Sequence, residues 1–563
     1  MPLSAPTGPY LVSTLEIEVP VREARTFSAS HFRLPSGKAA LKLQTVLFTL
    51  YYPYSRANGA AGGVDAGEDV TNGKPTTTSA IHAKLAQVGW LGSSRLKVLE
   101  GLLKYAGISK YFALPAVLPA YSAFFSKLPL AKDQPLLSPP SSAGSASTPS
   151  QWPVAVFSHG LGGMRTTYSQ YCASLASHGV VVAAVEHRDR TCPYTTVSRV
   201  VSSSSGSTPN KSKCSQVEEE GLIYMNFDEL QSNSAPSSSS AGTESISDIQ
   251  IEEPTAEGPD MWSWRRAQLA LRRAELLEVH HVLRAINAST SSVGSSLSVL
   301  DVSAPYVQRG EGAGARLSEA WSGRLQLCND QADANVEAAT LIGHSFGAAT
   351  AVDLVMQAGH AAPEQDASAT SKSEEMCPFG RIVLLDPWLE PLQSDKRGRL
   401  GPEIMLSKET YVINSEAFTI WVPHMKLLRS VVQRTREHMR GKSWLLTLSG
   451  TKHTDFSDFP FLISKVFSSK VEPIKAIRFF TEWTLQVIPG LFSVKDAIPS
   501  ISTDAGLQEG VAGFVTPSGV PMRGEIPNEV VERNLGEPKG VGIWNIPVVP
   551  SHSKADIAGK AVL

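Results

Sequence analysis

Short apolar segments alternate with longer amphipathic segments along most of the chain. VVVAAV at 180–185 and RIVLL at 381–385 are short and rich in β-branched residues, so each predicts a buried strand. The segment from Met261 to Ile286 has apolar positions at helical spacing and predicts a long amphipathic helix. The other predicted strands are 44–52, 152–157, 337–342, 410–413 and 444–448, and the other predicted helices are 166–178, 348–358 and 473–487. This alternation indicates a mostly parallel sheet with helices on both faces.

Several polar segments interrupt this pattern. The longest, 202–258, is rich in serine, threonine and acidic residues and predicts a disordered insert. Shorter linkers or loops are predicted at 57–78, 134–150 and 361–375. Beyond 499 glycine and proline are frequent and periodicity is lost, which predicts a weakly ordered C-terminal tail over 499–563. The expected organisation is one α/β domain over residues 1–498, followed by this tail.

Composition and charge exclude several classes of function. The chain has 563 residues, is 42% hydrophobic and carries a net charge of -2, so no nucleic-acid partner is expected. Its five cysteines are far apart and form no metal-binding spacing, which disfavours a disulfide framework or a zinc site. We expect no metal and no cofactor. The N-terminus lacks the features of a secretory signal and no long apolar run occurs, so the expectation is a cytoplasmic protein, with peripheral membrane contact left open.

The segment LIGHSFGAAT contains a Gly-x-Ser-x-Gly motif at 343–347. A predicted strand precedes it and a predicted helix follows, which is the context in which such a serine is exposed on a sharp turn. Bulky side chains two residues before or after the serine would collide in that turn. The alternative is a strand-to-helix turn without chemistry. We predict that Ser345 is a nucleophile at the carboxyl edge of the sheet.

A nucleophilic serine needs a histidine base and a carboxylate that orients it. In a strand-turn-helix context the expected order is serine, acid, histidine. Asp386 ends the strand RIVLL, whereas Asp353 lies within the helix that leads away from Ser345. His453 follows the strand at 444–448, and His424 begins a predicted helix. The prediction is a triad of Ser345, Asp386 and His453, with His424 as the alternative base.

The oxyanion of an acyl-transfer intermediate needs two N–H donors. The backbone N–H of Phe346, directly after the serine, is the first candidate. The glycine-rich loop HGLGG at 159–163 follows an early strand, and its Leu161 N–H is the second. The alternative for this loop is a turn that binds nothing.

Together these segments resemble one family. FSHGLGGMRTTYSQYCASLASHGVVVAAVEHRDR, LIGHSFGAAT, LLDPWLEPL, YVINSEAF and SGTKHTDFSDFPF occur in this order. They are similar to the platelet-activating factor acetylhydrolases of the plasma and intracellular type II kind, over Gly8 to about Phe461. The resemblance implies an α/β-hydrolase fold and calcium-independent cleavage of short or oxidised sn-2 acyl chains from phospholipids. It assigns the same roles to the five candidate residues: Ser345, Asp386, His453, Leu161 and Phe346.

The chain departs from the family pattern at Ala348, at Pro387 and in the serine-rich insert, and these differences affect the expected substrate range.

The apolar segment 91–130 is interpreted as core or lid packing, or as a lid that touches lipid. An apolar patch around Trp483 and Phe492 has the same two interpretations. EHRDR at 186–190 reads as a salt-bridged turn, with Arg188 or Arg190 meeting a headgroup as the alternative.

The expected function is that of a calcium-independent serine esterase that removes the short sn-2 acyl group of platelet-activating-factor-like phospholipids through an acyl-enzyme. Its partner is the phospholipid substrate, and no obligate protein partner is implied. One alternative is a broader carboxylesterase on the same fold, because specificity depends on the pocket. Another is a catalytically silent protein that binds lipid or partners. The presence of all three triad residues and both oxyanion elements argues against the latter.

Overall fold

A computed structural model describes residues 3–54, 89–92, 94–109, 111, 121–140, 151–201, 216–230, 247–250, 259–288, 321–328, 338–360, 377–396, 398–489, 522–523 and 543–545. The strands are β1 (Val12–Phe27), β2 (Lys42–Pro53), β3 (Ala131–Lys132), β4 (Trp152–Ser158), β5 (Val181–Glu186), β6 (Tyr194–Val201), β7 (Gln216–Ile223), β8 (Ser247–Ile249), β9 (Leu325–Gln326), β10 (Thr340–His344), β11 (Arg381–Leu385), β12 (Glu409–Ser415), β13 (Ser443–Leu448), β14 (Met522–Arg523) and β15 (Ile543–Asn545). The α-helices are α1 (Arg95–Tyr105), α2 (Tyr121–Phe125), α3 (Ser169–Ser177), α4 (Met261–Asn287), α5 (Phe346–His360), α6 (Glu416–Thr419), α7 (Val422–His438), α8 (Phe459–Leu462), α9 (Ser464–Phe467) and α10 (Pro473–Leu485).

The central sheet follows the order β14-β15-β13-β12-β11-β10-β4-β5-β2-β1-β3. Every neighbouring pair from β13 to β5 is parallel. Strands β2 and β1 add antiparallel pairs at one side, and β15 pairs antiparallel with β13 at the other. The predicted mostly parallel sheet is therefore confirmed. Parallel strands end at a common carboxyl edge, so side chains that follow β4, β10, β11, β12 and β13 can converge there.

Helices cover both faces of the sheet, as predicted. Leu341 and Ile342 are neighbours in β10, yet they belong to separate buried clusters because successive side chains point to opposite faces. The first cluster includes apolar residues of α4, α5 and α7. The second includes residues of α3 and α10, together with Val98 of α1. Both faces of the sheet are therefore covered and shielded from water, which explains why the central residues of β5 and β11 are all apolar.

The long N-terminal strand β1 was not predicted from the sequence. In its segment Leu15, Ile17 and Val19 alternate with two glutamates, so alternation alone would place Glu18 on a solvated face. In the fold Glu18 is buried, accepts a hydrogen bond from the Thr45 hydroxyl at 2.6 Å and pairs with Arg188 at 2.6 Å. A buried carboxylate with such partners is stable. The residue that neutralises its charge, Arg188, lies 170 positions away along the chain.

Some segments predicted to lack order contain described strands. β7 and β8 fall within the predicted insert 202–258, and β14 and β15 fall within the predicted tail. The insert is described only at 216–230 and 247–250, and the tail only at 522–523 and 543–545. The loops 57–78 and 361–375 and the latter part of 134–150 lie outside the described residues. The division into a domain at 1–498 and a tail remains a prediction. Among the described helices, none combines the length and apolar character needed to cross a bilayer.

The amino ends of β4, β10 and β11 lie at one edge of the sheet, because these strands are parallel neighbours. The described residues directly before the three strands are 151, 338–339 and 377–380. The carboxyl ends of the same strands carry the described loops that hold the candidate residues. The residues that lead into these strands therefore lie at the edge opposite the candidate site.

Candidate active site

Ser345 lies at the turn between β10 and α5 in a left-handed conformation with φ of 54°. A non-glycine residue adopts this conformation at a cost, so the surrounding structure must hold it. Its N–H donates to the Leu385 carbonyl at 2.9 Å, and its own carbonyl accepts from Ala348 N at 3.0 Å and Trp388 N at 3.1 Å. Hydrogen bonds to the neighbouring strand and to the following helix thus fix the backbone on both sides of the serine.

The two glycines of the motif are required by close backbone approach. A Cβ at Gly343 would lie 2.3 Å from the Gly347 carbonyl oxygen, and a Cβ at Gly347 would lie 2.0 Å from the Ser158 carbonyl oxygen. Neither contact involves a side chain that could move aside. This confirms the steric argument made from the sequence.

We expect Gly347→Ala to destabilise the fold by about 1–3 kcal/mol or more, because the added methyl meets rigid backbone of β4. The loop after β4 should be displaced as well, so the rate at which a fluorophosphonate labels Ser345 should also fall. The free energy of unfolding in urea and the rate per folded molecule would measure the two effects. Gly89→Ala is the control, since its Cβ would meet only the end of the Arg95 side chain at 3.4 Å. Equal stabilities of the two variants would contradict the prediction.

Asp386 and His453 lie together at the carboxyl edge. Asp386 directly follows β11, is fully buried and has a φ of 43°. Its Oδ2 lies 3.0 Å from His453 Nδ1 and accepts from the Ser415 hydroxyl at 2.5 Å, while Oδ1 accepts from Ser415 N at 2.6 Å. A carboxylate only accepts, so Nδ1 carries the proton and Nε2 is left as the basic nitrogen of a neutral ring. Ser415, at the end of β12, was not identified from the sequence.

His453 opens a short 3₁₀ turn after β13, and its side chain is 35% exposed. The Phe418 ring stacks on it with centroids 4.7 Å apart and an angle of 12° between the planes. The alternative base is placed differently. His424 is buried in α7, its Nε2 accepts from Leu389 N at 3.3 Å, and burial lowers its pKa to about 4. The structure brings His453, rather than His424, to Asp386.

The proposed oxyanion donors flank Ser345. Phe346 is the first residue of α5, and the first N–H groups of a helix have no intrahelical acceptor. On the other side, the loop after β4 passes so close that a Cβ at Gly160 would lie 3.0 Å from Cβ of Ser345. Within this loop Gly162 N donates to the Thr191 carbonyl at 3.0 Å and Gly163 N to the Gly160 carbonyl at 3.2 Å. No backbone acceptor is found for Leu161 N within the described ranges.

His344 connects this loop with His453, and sequence reasoning missed it. Its Nε2 lies 3.1 Å from the His453 carbonyl, which can only accept, so Nε2 carries the proton. Its Nδ1 then accepts from the Tyr168 hydroxyl at 2.8 Å, and that oxygen accepts from Gly160 N at 3.3 Å. Burial lowers the pKa of His344 well below its usual value, which keeps the ring neutral. Its position inside the Gly-x-Ser-x-Gly motif was the available signal.

A network of buried charged residues, centred on α4 and EHRDR, contacts the glycine-rich loop. Arg272 of α4 donates through Nη1 to the His159 carbonyl at 2.7 Å and through Nε to Asp189 at 2.6 Å. Within EHRDR, Glu186 pairs with Arg165 at 3.1 Å and Arg188 with Glu18 at 2.6 Å. The interpretation of EHRDR as a salt-bridged turn is confirmed. Arg188 is only 1% exposed, so it is not available to a headgroup.

Two clusters among the described residues have ligand atoms close enough to share a metal ion: His159, Glu186 and Cys192, and His344, Asp386 and His453. In the first, Glu186 is paired with Arg165, and burial raises the pKa of the Cys192 thiol, which disfavours the thiolate that binds metals. In the second, both nitrogens of His344 and both oxygens of Asp386 have protein partners. The donor sets therefore fit hydrogen-bond networks better than metal sites.

Burial shifts many titratable groups of the described structure away from their usual pKa values. It lowers the pKa of six histidines: His159, His178, His187, His280, His344 and His424. It raises the pKa of Glu275 to about 8, of Asp458 to about 7 and of Asp455 to about 6. The histidines take up protons on unfolding, whereas the acids release them.

We therefore expect the free energy of unfolding to be greatest near pH 6.5–7, about the ordinary pKa of histidine. Below that pH the unfolded histidines gain protons that the folded ones do not, and they outnumber the opposing acids, so stability falls at about 1.4 kcal/mol per pH unit for each net proton. Above pH 7 the contribution of protonated Glu275 is lost as pH rises through about 8. Urea unfolding between pH 5 and 9 would test this. Stability that rises steadily toward pH 5 would contradict it.

Comparison with known proteins adds family information. A model of the family described as "Platelet-activating factor acetylhydrolase, isoform II" matches residues 110–492, more than half of the chain. The platelet-activating factor acetylhydrolase of Gallus gallus is 24% identical over 363 residues, which cover 63% of this chain and 66% of the relative. That of Canis lupus familiaris is 25% identical over 372 residues, which cover 64% of this chain and 59% of the relative. The chain thus spans less than two thirds of the length of these two relatives.

Other similarities cover a shorter stretch or have a lower sequence identity. A putative phospholipase A2 of Schizosaccharomyces pombe (strain 972 / ATCC 24843) is 30% identical over 195 residues, which cover 35% of this chain and 34% of the relative. Among solved structures, a ferulic acid esterase from Streptomyces cinnamoneus covers 86% of this chain and 91% of its own at 13% identity, with a TM-score of 0.38. At that TM-score the structural similarity carries no information on substrate.

Proposed function

Because the chain belongs to the platelet-activating factor acetylhydrolase, isoform II, family, we propose that it is a calcium-independent serine esterase. It hydrolyses the short sn-2 acyl ester of platelet-activating-factor-like phospholipids, the reaction of a 1-alkyl-2-acetylglycerophosphocholine esterase. The observation that carries this proposal is the extent of the family match. Residues 110–492 include all five proposed site residues, Ser345, Asp386, His453, Leu161 and Phe346.

Acylation begins when the Ser345 hydroxyl attacks the sn-2 carbonyl carbon. His453 accepts the hydroxyl proton through Nε2, and the Asp386 carboxylate stabilises the resulting imidazolium through its contact with Nδ1. The N–H groups of Phe346 and Leu161 bind the oxyanion, an interaction that is stronger in the transition state than with the substrate. The stacked ring of Phe418 limits rotation of His453 and supports this geometry.

Collapse of the intermediate breaks the bond to the glycerol oxygen. His453 returns the proton to that oxygen, so the lysophospholipid leaves as an alcohol and Ser345 retains the acyl group. Water then attacks the acyl-enzyme while His453 accepts its proton, and the short carboxylic acid is released. Two backbone N–H groups supply the charge stabilisation in both halves, and for this reason the proposed mechanism requires no calcium.

The substrate is a lipid, and we include peripheral contact with a lipid surface in the proposal. Exposed large apolar side chains on and around α1 and α2 support it, since soluble faces seldom present so many. They are Leu96, Tyr105, Ile108, Tyr111, Tyr121 and Phe125. A cytoplasmic location is supported by Cys172 and Cys192, which are buried and form no disulfide within the described structure.

The test is hydrolysis of a phosphatidylcholine with an acetyl group at sn-2, beside one with a long sn-2 chain, in excess chelator. We expect release of acetate with little release of the long chain. Activity on aryl esters with none on the acetyl phospholipid would replace the proposal by a broader carboxylesterase. No activity on any ester, and no labelling by a fluorophosphonate, would indicate a silent protein.

A further inference from the structure

Arg265, in the second turn of α4, is a buried cation that has no acidic partner within the described structure. The residue is 7% exposed, its Nη1 donates to Gln268 Oε1 at 2.8 Å, and its Nε has no acceptor. Two other buried arginines have carboxylate partners. Arg272, on the same helix, bonds Asp189 and is 0% exposed, and Arg188 bonds Glu18. Arg265 is therefore a charge whose counter-ion the described protein does not supply.

Its position is beside the candidate active site. The Arg265 guanidinium carbon lies 6.0 Å from the centroid of the Phe346 ring, the residue directly after the proposed nucleophile. Its charge also acts on the Tyr105 hydroxyl, where it opposes the rise in pKa that burial causes. The Tyr105 ring in turn lies against the loop after β4, since a Cβ at Gly162 would be 2.8 Å from its Cε1. Arg265 thus lies near Phe346 and acts on Tyr105, whose ring packs against the loop after β4.

A buried charge without a partner is costly, because desolvation is not repaid by attraction. Arg265 donates a hydrogen bond to the uncharged Gln268 amide oxygen and lies over the face of Phe346, and neither contact supplies an opposite charge. A guanidinium presents a planar fork of donors that matches the oxygens of a phosphate. An anionic group that enters the site with the substrate would satisfy both the free donor and the charge.

We propose that Arg265 binds the phosphate of the phospholipid substrate. This inference rests on the proposed esterase function and extends it to the recognition of the headgroup. In a glycerophospholipid the phosphate is carried by the carbon adjacent to the one that bears the sn-2 ester. A phosphate held near Phe346 would therefore place the ester carbonyl beside Ser345 and the oxyanion donors. Arg265 selects esters that carry a phosphate over neutral esters with the same acyl chain.

The test compares two esters that differ only in the phosphate-containing headgroup: 1-alkyl-2-acetylglycerophosphocholine and 1-alkyl-2-acetylglycerol. Both are presented at the same mole fraction in a neutral detergent to wild type, Arg265→Gln and Arg265→Lys. We expect Arg265→Gln to lower kcat/KM for the phospholipid by about 10- to 100-fold, the usual size of a lost hydrogen bond to a charged group, and to leave the neutral ester nearly unchanged. The kcat/KM of Arg265→Lys for the phospholipid should lie between those of wild type and Arg265→Gln, because lysine keeps the charge and lacks the planar pair of donors.

Arg284→Gln is the matched control, since it removes one charge from the exposed far end of the same helix. Thermal unfolding separates recognition from structure. Removal of an uncompensated buried charge should leave the Tm of Arg265→Gln equal to or above that of wild type. Equal losses on both esters with a lowered Tm would overturn the inference in favour of a structural role, and an unchanged phospholipid rate would also overturn it.

Failure of the inference alone is distinct from failure of the proposed function. In the first case wild type still releases acetate from the phospholipid in a Ser345-dependent manner, and Arg265→Gln retains the same preference between the two esters. In the second case wild type itself releases no acetate from the phospholipid. That result removes the esterase proposal and the phosphate contact with it.

Discussion

Replacement of Ser345 by alanine is expected to reduce turnover of the acetyl phospholipid by about a million-fold, with the fold retained. The serine side chain forms the covalent bond of the proposed mechanism, so no neighbouring group can replace it. Stability should change little. The left-handed backbone at φ of 54° is held by hydrogen bonds from residues outside the side chain, and alanine can occupy the same space. Acetate release and urea unfolding would be measured on the same preparation.

Ser430→Ala serves as the control, because Ser430 lies on α7 and its hydroxyl bonds only the Lys426 carbonyl at 3.1 Å. It should retain wild-type turnover and labelling by a fluorophosphonate, whereas Ser345→Ala should lose both. Turnover above about one hundredth of wild type in Ser345→Ala would remove Ser345 from the nucleophile role, since triad serines contribute far more.

Asp386→Asn is expected to lower kcat by about 10⁴-fold. The carboxylate accepts at both oxygens, from Ser415 N at Oδ1 and from His453 Nδ1 and the Ser415 hydroxyl at Oδ2. An amide can accept at only one end. If its NH₂ faces His453, the ring proton moves to Nε2 and the base is lost. If it faces Ser415 N, two donors oppose each other inside the protein.

The two orientations can be told apart. ¹⁵N chemical shifts of the His453 ring would report which nitrogen carries the proton, and urea unfolding would report the clash of donors. Asp228→Asn is the control, since Asp228 is exposed in a short turn and takes no part in the hydrogen bonds between Asp386, Ser415 and His453. A kcat for Asp386→Asn within tenfold of wild type would exclude Asp386 as the carboxylate that orients the base, as the loss is about a thousand times larger in known triads.

The strongest predictions from the sequence concerned local patterns. Each helix or strand of the parallel core has a short apolar or periodic signature, and Gly343, Ser345 and Gly347 occur within five positions. Parallel strands share a carboxyl edge, so Asp386 and His453 could be placed at one edge. The hydrogen bond between them joins positions 67 apart, yet both were predicted because each lies after the end of its own strand.

Features that depend on distant partners were not predicted. Alternation places Glu18 on a solvated face of β1, and its burial against Arg188 could not be inferred from position alone. His344 was visible in the motif, but its role depends on contacts with Tyr168 and with the His453 carbonyl, 176 and 109 positions away. Arg265 is similar. In the sequence it is one of many arginines on an amphipathic helix, and only packing reveals that it lacks a carboxylate partner.

The separation of the two sheet edges has a practical consequence for protein engineering. The described residues that lead into β4, β10 and β11, at 151, 338–339 and 377–380, lie at the edge opposite Ser345. A fluorescent reporter, an affinity tag or a tethering handle attached beside these residues would start from the edge away from the triad. The same graft in the loops after these strands would obstruct the catalytic edge.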